Sequence, residues 1–304
     1  MLVVVFVGAA AAGPQNPAEP AVPPVRLSPD ELALYQRAHT LLEWSPAQIH
    51  DCPFLHKLQP AASQRELPDV LARVGNTCTK MLLDFPRVSA DEEVFSELGP
   101  QGRWGSPFLR HHKFRYIVIP HPTGDYPGLE EYRTDLKGKA LDVLNSRDFF
   151  MITSDFVSTW LFLSPADQRD STFRYFGTQT IRKQECHVVG FAQDPERVHS
   201  VGVCIIRGKS IALLVQGVVW VDAETFQILR IKTWLLAPRP DIDLGAQITT
   251  VDFFPVQPIG TQRVLWLPRD VTVEAVYRGL PIRNTHHYSN FKLFRVESTI
   301  KPVG

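Results

Sequence analysis

The sequence predicts a mostly β protein of the α+β class, in which a helical N-terminal section precedes one long antiparallel sheet. Three observations predict it. From Val88 onward, segment after segment alternates apolar and polar residues with period two. The links between these segments are short and carry Gly, Pro and Asp, which favours antiparallel neighbours, because parallel strands need long crossovers. Before Val88 the apolar spacing is helical instead. The 304 residues, 44% hydrophobic and 21% charged, have the make-up of a globular chain. The 32 acidic and 32 basic residues cancel, so there is no field for wholesale binding of nucleic acid or an anionic membrane.

The first elements concern compartment. Residues Leu2 to Val7 are apolar and Gly8 to Gly13 are all small. An apolar stretch followed by Ala10-x-Ala12 reads as a signal peptide, residues 1–12, because the peptidase pocket excludes large side chains. No Lys or Arg precedes Leu2, a departure from the usual basic start, and the other reading of LVVVFV is a buried strand. The stretch is well short of the ~20 apolar residues of a membrane span. The expected location is therefore exported, periplasmic or extracellular, and not membrane-spanning. Cys52, Cys78, Cys186 and Cys204 support export as two disulfides. The pairs Cys52–Cys78 and Cys186–Cys204 are favoured because each sits in one region; buried free thiols are the other reading. No spacing resembles a zinc site, and no metal or cofactor is expected.

Residues 13–27 hold five prolines and read as a disordered leader. Order begins at Ser28-Pro29-Asp30-Glu31, a capping box with Pro at the first helical position. That helix is expected to stop before Ser45-Pro46. A second helix from Pro68 to about Leu83 carries Leu67, Val70, Leu71, Val74, Cys78, Met81 and Leu82 on one stripe. Asp84-Phe85-Pro86 ends it, closing a helical section over 28–86. Residues 87–304 form the β domain. Its expected strands are Val88 to Leu98, Phe114 to Ile119, Glu130 to Leu136, Phe173 to Thr180, Cys186 to Phe191, Gly202 to Arg207, Ile211 to Val221, Thr225 to Leu236, Ile248 to Phe254, Val271 to Tyr277 and Thr285 to Glu297. A helical insertion falls near 154–168, with Phe156, Trp160 and Leu163 on one face. About ten strands in one meander must curl or close to hide their edges.

Catalytic chemistry finds no support at the residues that could carry it. His111-His112 and His286-His287 are neighbours on strands and point to opposite faces, so neither pair can ligate one metal. The same alternation separates Cys186 from His187. No Gly-x-Ser-x-Gly elbow is present. Asp91-Glu92-Glu93 and Glu130-Glu131 read as exposed, solvated carboxylates rather than a glycosidase pair. The chain is expected not to be an enzyme.

Apolar chemistry is more informative. Ile211 to Val221 is apolar on both faces, so both must be covered. A helix near Trp160, the N-terminal helices or a hydrophobic ligand could each supply a cover. Trp220, Trp234, Trp266, Phe226, Phe253 and Phe254 would add aromatic lining. The run from Gly217 to Arg230, GVVWVDAETFQILR, resembles a hairpin of the LolA/LolB lipoprotein-carrier superfamily, and Leu267-Pro268 followed by VTVEAVY and the strand from Tyr288 to Ser298 keep the same order. The resemblance implies a single curved antiparallel sheet or half-barrel, with helices packed on the concave face and an apolar cavity between. It implies a periplasmic protein that binds lipid or lipoprotein acyl chains. The helical section is longer than a simple carrier needs. The ligand residues expected are Trp160, Leu214, Val218, Trp220, Phe226 and Trp234. Two functions compete: an exported, non-enzymatic envelope protein holding a lipid or acyl chain, or a scaffold with a dry core that binds another envelope protein. An unrecognised hydrolase ranks third.

Overall fold

The computed structural model describes residues 2–7, 26–99, 109–123, 126–139, 151–153, 156–199, 201–206 and 209–294. Its elements in chain order are β1 (Leu2–Val7), α1 (Pro29–Gln36), α2 (Pro46–Asp51), β2 (Gln59–Pro60), α3 (Leu67–Leu83), β3 (Val88–Leu98), β4 (Leu109–Thr123), β5 (Tyr126–Thr134), β6 (Met151–Thr153), β7 (Ser171–Ile181), β8 (Gln184–Gln193), β9 (Val201–Ile206), β10 (Lys209–Leu213), β11 (Val215–Asp222), β12 (Ile228–Leu235), β13 (Leu244–Val256), β14 (Leu265–Tyr277) and β15 (Leu280–Leu293). The residues expected as a proline-rich leader, and the Ala10-x-Ala12 site, lie outside the described residues apart from Arg26 and Leu27.

The helical section starts where the capping box predicts. The Ser28 hydroxyl accepts from the Glu31 amide, and Glu31 accepts from the Ser28 amide at 2.9 Å. The first helix ends at Gln36, short of the expected stop at Ser45-Pro46, which instead begins a helix. Ser45 and Gln48 form a second capping box that starts α2. Between the helices run 3-10 turns at Leu41–Glu43 and Pro53–Leu55. Helix α3 has the predicted stripe, with Val70, Val74, Cys78 and Leu82 buried.

Two sheets form. The large one is open and has eleven strands in the order β2-β7-β8-β11-β12-β13-β14-β15-β3-β4-β5, with the named neighbours antiparallel. It is not a pure meander. β3 joins β15, so β5 and β7 lie near opposite edges although they are successive in this sheet. The chain between them must pass across the sheet, and its 3-10 helix Ser158–Leu163, the predicted insertion, packs on α3 and β12. The small sheet has the order β10-β9-β1-β6. Leu2–Val7, read above as part of a signal peptide, is its strand β1, parallel to β6 and antiparallel to β9.

The segment Ile211 to Val221 is not one strand. β10 ends in the small sheet at Leu213, and β11 begins in the large sheet at Val215. Leu214 is the junction: its carbonyl accepts from the Leu236 amide at 2.8 Å. The run stays apolar through the break, so sequence pattern alone does not reveal the change of sheet. Turns set the hairpin registers. Arg182-Lys183, between paired Ile181 and Gln184, and Arg278-Gly279, between paired Tyr277 and Leu280, have positive φ at both central residues, as the right-handed strand twist favours. Gly177 (φ +133°) sits at a bulge in β7, and a Cβ there would meet the Gln59 carbonyl at 1.9 Å. Only glycine lets β2 pair at that edge.

Each face of the sheet has its own core. On one face, called inner here, α3 and Phe156, Val157, Trp160 and Leu163 pack against Val189, Phe191, Val219, Val221, Ile231, Val251 and Val271. On the outer face, Leu41, Ile49, Cys52 and Leu55 of the helical section pack against Phe176, Cys186, Val188, Val218, Trp220 and Leu229. A third cluster gathers Tyr35, Ala192, Val198, Leu214, Leu236 and Ala237. This division overturns the Cys52–Cys78 disulfide. Cys52, Cys78 and Cys186 are buried free thiols. Cys52 belongs to the outer core and Cys78 to the inner one, so the sheet lies between them. Cys204, the expected partner of Cys186, has its side chain outside the described residues.

A buried polar network and an aromatic groove

Two arrangements stand out on the two faces. The first lies in the inner core at the β3–β5 end. Along β3, period two turns Val88, Ala90, Glu92, Val94 and Ser96 inward. Glu92 is therefore fully buried rather than solvated, and receives both Arg133 Nε and Nη2, the latter at 2.7 Å. His286 Nδ1 and the Tyr288 hydroxyl approach the same carboxylate at 2.8 Å each. Arg133 Nη1 donates to the Thr153 carbonyl at 2.8 Å. A second buried carboxylate adjoins. Glu131 accepts from the Tyr116 hydroxyl, from the Ser158 amide and hydroxyl at 2.7 and 2.6 Å, and from the Val157 amide at 3.1 Å. Glu131 thus receives the amides that open the inner 3-10 helix and ties that helix to the sheet.

The electrostatics follow from this geometry. Burial pushes the Glu92 carboxyl up, but the Arg133 charge and the bonds from His286 and Arg133 outweigh it and hold it down to about 2. Burial pushes His286 down despite its Glu92 bond, so the imidazole stays neutral. Burial raises Glu131 against the hydrogen bonds from Ser158 and Tyr116. Glu92 and His286 are shut off from solvent, and the network joins β3, β4, β5, β15 and the inner 3-10 helix. Reading Asp91-Glu92-Glu93 and Glu130-Glu131 as exposed overlooked their phase. Glu92 alternates with Ala90 and Val94, and Glu131 with Leu129 and Arg133, which was the available signal. Asp91 and Glu93 do point outward, to Arg115 and Lys113.

The predicted alternation at the paired residues is present. His286 is buried, whereas His287 faces outward and bonds Asp270 at 2.7 Å. Cys186 lies in the outer core, while His187 bonds the Tyr175 hydroxyl at 2.9 Å within the inner face.

The second arrangement is a groove of about 490 Å³ between the helical section and the outer face of β12 and β13. Arg174 pins the helical section by donating to the Leu42 and Trp44 carbonyls at 2.8 Å each. The Trp44 indole then lies parallel to that of Trp234, with centroids 6.0 Å apart, and Phe54 meets Trp234 at 5.8 Å. Ile248, paired with Trp234 in the sheet, and Ala246 and Leu236 continue an apolar lining. Lys232 lines the same groove, its ammonium 5.3 Å from the Phe54 ring centre.

The six expected ligand residues are not brought together. Trp160 and Phe226 are packed in the inner core, and the Arg73 guanidinium covers the Phe226 ring at 3.7 Å. Val218 and Trp220 meet Leu41, Ile49 and Leu55, and Leu214 meets Tyr35. The chain itself covers both faces of β11, the inner by α3 and the 3-10 helix, the outer by the N-terminal helices. Only Trp234 of the six lines the groove. Trp44, Phe54 and Lys232 were missed because they come from turns and a strand distant in sequence. A large aromatic in each short polar turn beside Pro46 and Pro53 was the signal that could have found two of them.

No family model matches the chain, and no curated protein matches it. Solved structures that are similar include a DUF1329 family protein from Desulfovibrio piger, 11% identical with a TM-score of 0.40 over 76% of this chain and 92% of that one. They also include a domain described as an outer membrane lipoprotein-sorting protein from Vibrio parahaemolyticus, 11% identical, TM-score 0.41, covering 73% and 91%. A LolA superfamily protein from Nitrosomonas europaea is 10% identical, TM-score 0.35, covering 75% and 94%. The likeness is loose and confined to the fold. Among the described residues no helix is long and apolar enough to cross a membrane.

Proposed function

We propose that this chain is an exported, non-enzymatic binding protein that holds a hydrophobic ligand, a lipid or acyl chain, in the groove between its helical section and β12–β13. The groove carries the reading. Its 490 Å³ falls within the about 300–1,000 Å³ of small-molecule sites. Its walls are mostly apolar, with Trp44, Trp234 and Phe54 side by side, and aromatic rings bind apolar chains with little loss of side-chain freedom. Because α3 and the 3-10 helix fill the inner face, this reading puts the ligand on the outer face. The solvent-excluded partners of Glu92 and His286 support a non-enzymatic role. Export rests on Ala10-x-Ala12; cleavage there removes β1 from the small sheet and leaves Gly13 as the mature N-terminus.

Native mass spectrometry of protein purified from its own host tests both parts. The expected mass begins at Gly13 and carries a bound apolar ligand. Trp234→Ala is expected to weaken binding of a fluorescent acyl probe about tenfold or more, by removing the indole shared by Trp44 and Phe54. Empty protein, with probe binding unchanged in the variant, would sink the groove as a ligand seat.

A further inference from the structure

One cation in this groove lacks the partner its neighbour has. Three residues of β12 face outward in succession, and each is opposite a residue of β13. Arg230 faces Asp252 and is bound by it twice, at 2.8 and 3.0 Å. Trp234 faces Ile248. Lys232, between them, faces Thr250 and donates to its hydroxyl at 3.1 Å. No carboxylate lies within salt-bridge distance of Lys232 among the described residues. Glu274, two strands away and out of reach, still favours its charge. Lys232 is half-buried between Phe54 and the strands. Burial disfavours its charged form, and an ammonium taken from water without a counter-charge is costly. The aromatic ring of Phe54 offsets a part of this by a cation–π contact. A lysine charge in a groove whose apolar lining includes Trp44, Phe54, Trp234, Leu236 and Ile248, and whose other polar lining residues are His39, Gln216 and Gln247 with no carboxylate among them, is complementary to a ligand of a particular kind.

We propose that the groove takes an amphiphile with a single anionic head group, the head on Lys232 and the apolar body along Trp234 and Trp44. This inference rests on the groove being the ligand seat and adds the charge of the ligand. The head would accept from the Lys232 ammonium in a site where water is partly excluded, which strengthens a charge-assisted bond. A neutral amphiphile of the same length would leave that ammonium without a counter-charge.

Titration of the full chain with decanoate and with decanol, each below its aggregation limit and followed by tryptophan fluorescence, separates the two levels. Decanoate is expected to bind about tenfold more tightly than decanol, the scale of one charge-assisted bond. Lys232→Met keeps the length and apolar stem of the side chain, and is expected to bring the two affinities together while decanol binding is retained. Lys232→Arg is expected to restore the preference. Equal binding of the two probes by the unaltered protein, or a preference that survives in Lys232→Met, overturns the head-group assignment and leaves the apolar groove standing. If neither probe binds the unaltered protein, the groove is not the ligand seat and both readings fall. The preference measured on the unaltered protein needs no variant, so a folding defect in Lys232→Met does not remove the test.

Discussion

Glu92→Gln is expected to destabilise the fold by about 3–5 kcal/mol, as does removal of one partner from a buried ion pair. The amide cannot neutralise Arg133, which is buried with it and whose other fork atom is already committed to the Thr153 carbonyl. It also offers an N–H where Arg133, His286 and Tyr288 all present donors. Urea unfolding measures the effect. The paired replacement of Glu92 and Arg133 by apolar residues is expected to cost less than Glu92→Gln, because no buried charge is left alone. A loss below about 1 kcal/mol for Glu92→Gln, the range of an exposed pair, would place Glu92 in solvent.

The same network sets an acid limit. The folded Glu92 carboxyl, at about 2, lies below its ordinary 4.5. Its contribution is complete above 4.5 and is lost as the pH falls toward 2. His286 acts in the same direction. Its folded value lies below 6.5, so the unfolded chain takes up the proton first and stability already begins to fall below 6.5. Glu131 acts oppositely, since its raised value means that the folded state holds the proton more tightly. Stability measured against pH is therefore expected to decline from about 6.5 downward, and Glu92→Gln is expected to flatten the part below 4.5.

Trp220→Ala is expected to cost about 3–5 kcal/mol, the range for large aromatic truncation in a packed core. Trp220 is only 1% exposed, lies in the outer core with Leu41, Ile49 and Leu55, and donates its indole N–H to Gln179 Oε1 at 2.7 Å. Truncation leaves a cavity under the helical section and strips Gln179 of a partner. Urea unfolding again reads the loss, and decanoate titration reads the binding. The two together decide what covers this face. A residue lining a ligand void would change binding and leave stability within about 1 kcal/mol, whereas one packed under helices changes stability first.

Much of this molecule is legible along the chain. The Ser28 capping box, the α3 stripe and most strands follow from local spacing, because caps and periodicity are properties of residues three, four or two apart. The outward direction of His287 and the inward one of His286 follow from the same alternation. So does the burial of Glu92, in phase with Ala90 and Val94. Its polarity suggested solvent, and its phase was the better guide, because a strand face is set by the pleat and a buried carboxylate needs only a cation and donors to meet it.

The helical section, the antiparallel sheet and the doubly apolar character of β11 follow from residues near one another in the chain. What meets each face of that strand depends on long-range packing. Folding joined β3 to β15, sent the chain after β5 back across the inner face, and laid the N-terminal helices on the outer one. These pairings link residues far apart in sequence, and local pattern carries no record of which partner fills a face. For the same reason Cys52 and Cys78 ended on opposite faces of the sheet, and the groove of Trp44, Phe54, Lys232 and Trp234 assembled from segments nearly two hundred residues apart. The hydrophobic surface was written in the chain; where the chain covers it and where it leaves room for a ligand depended on the packing of distant elements.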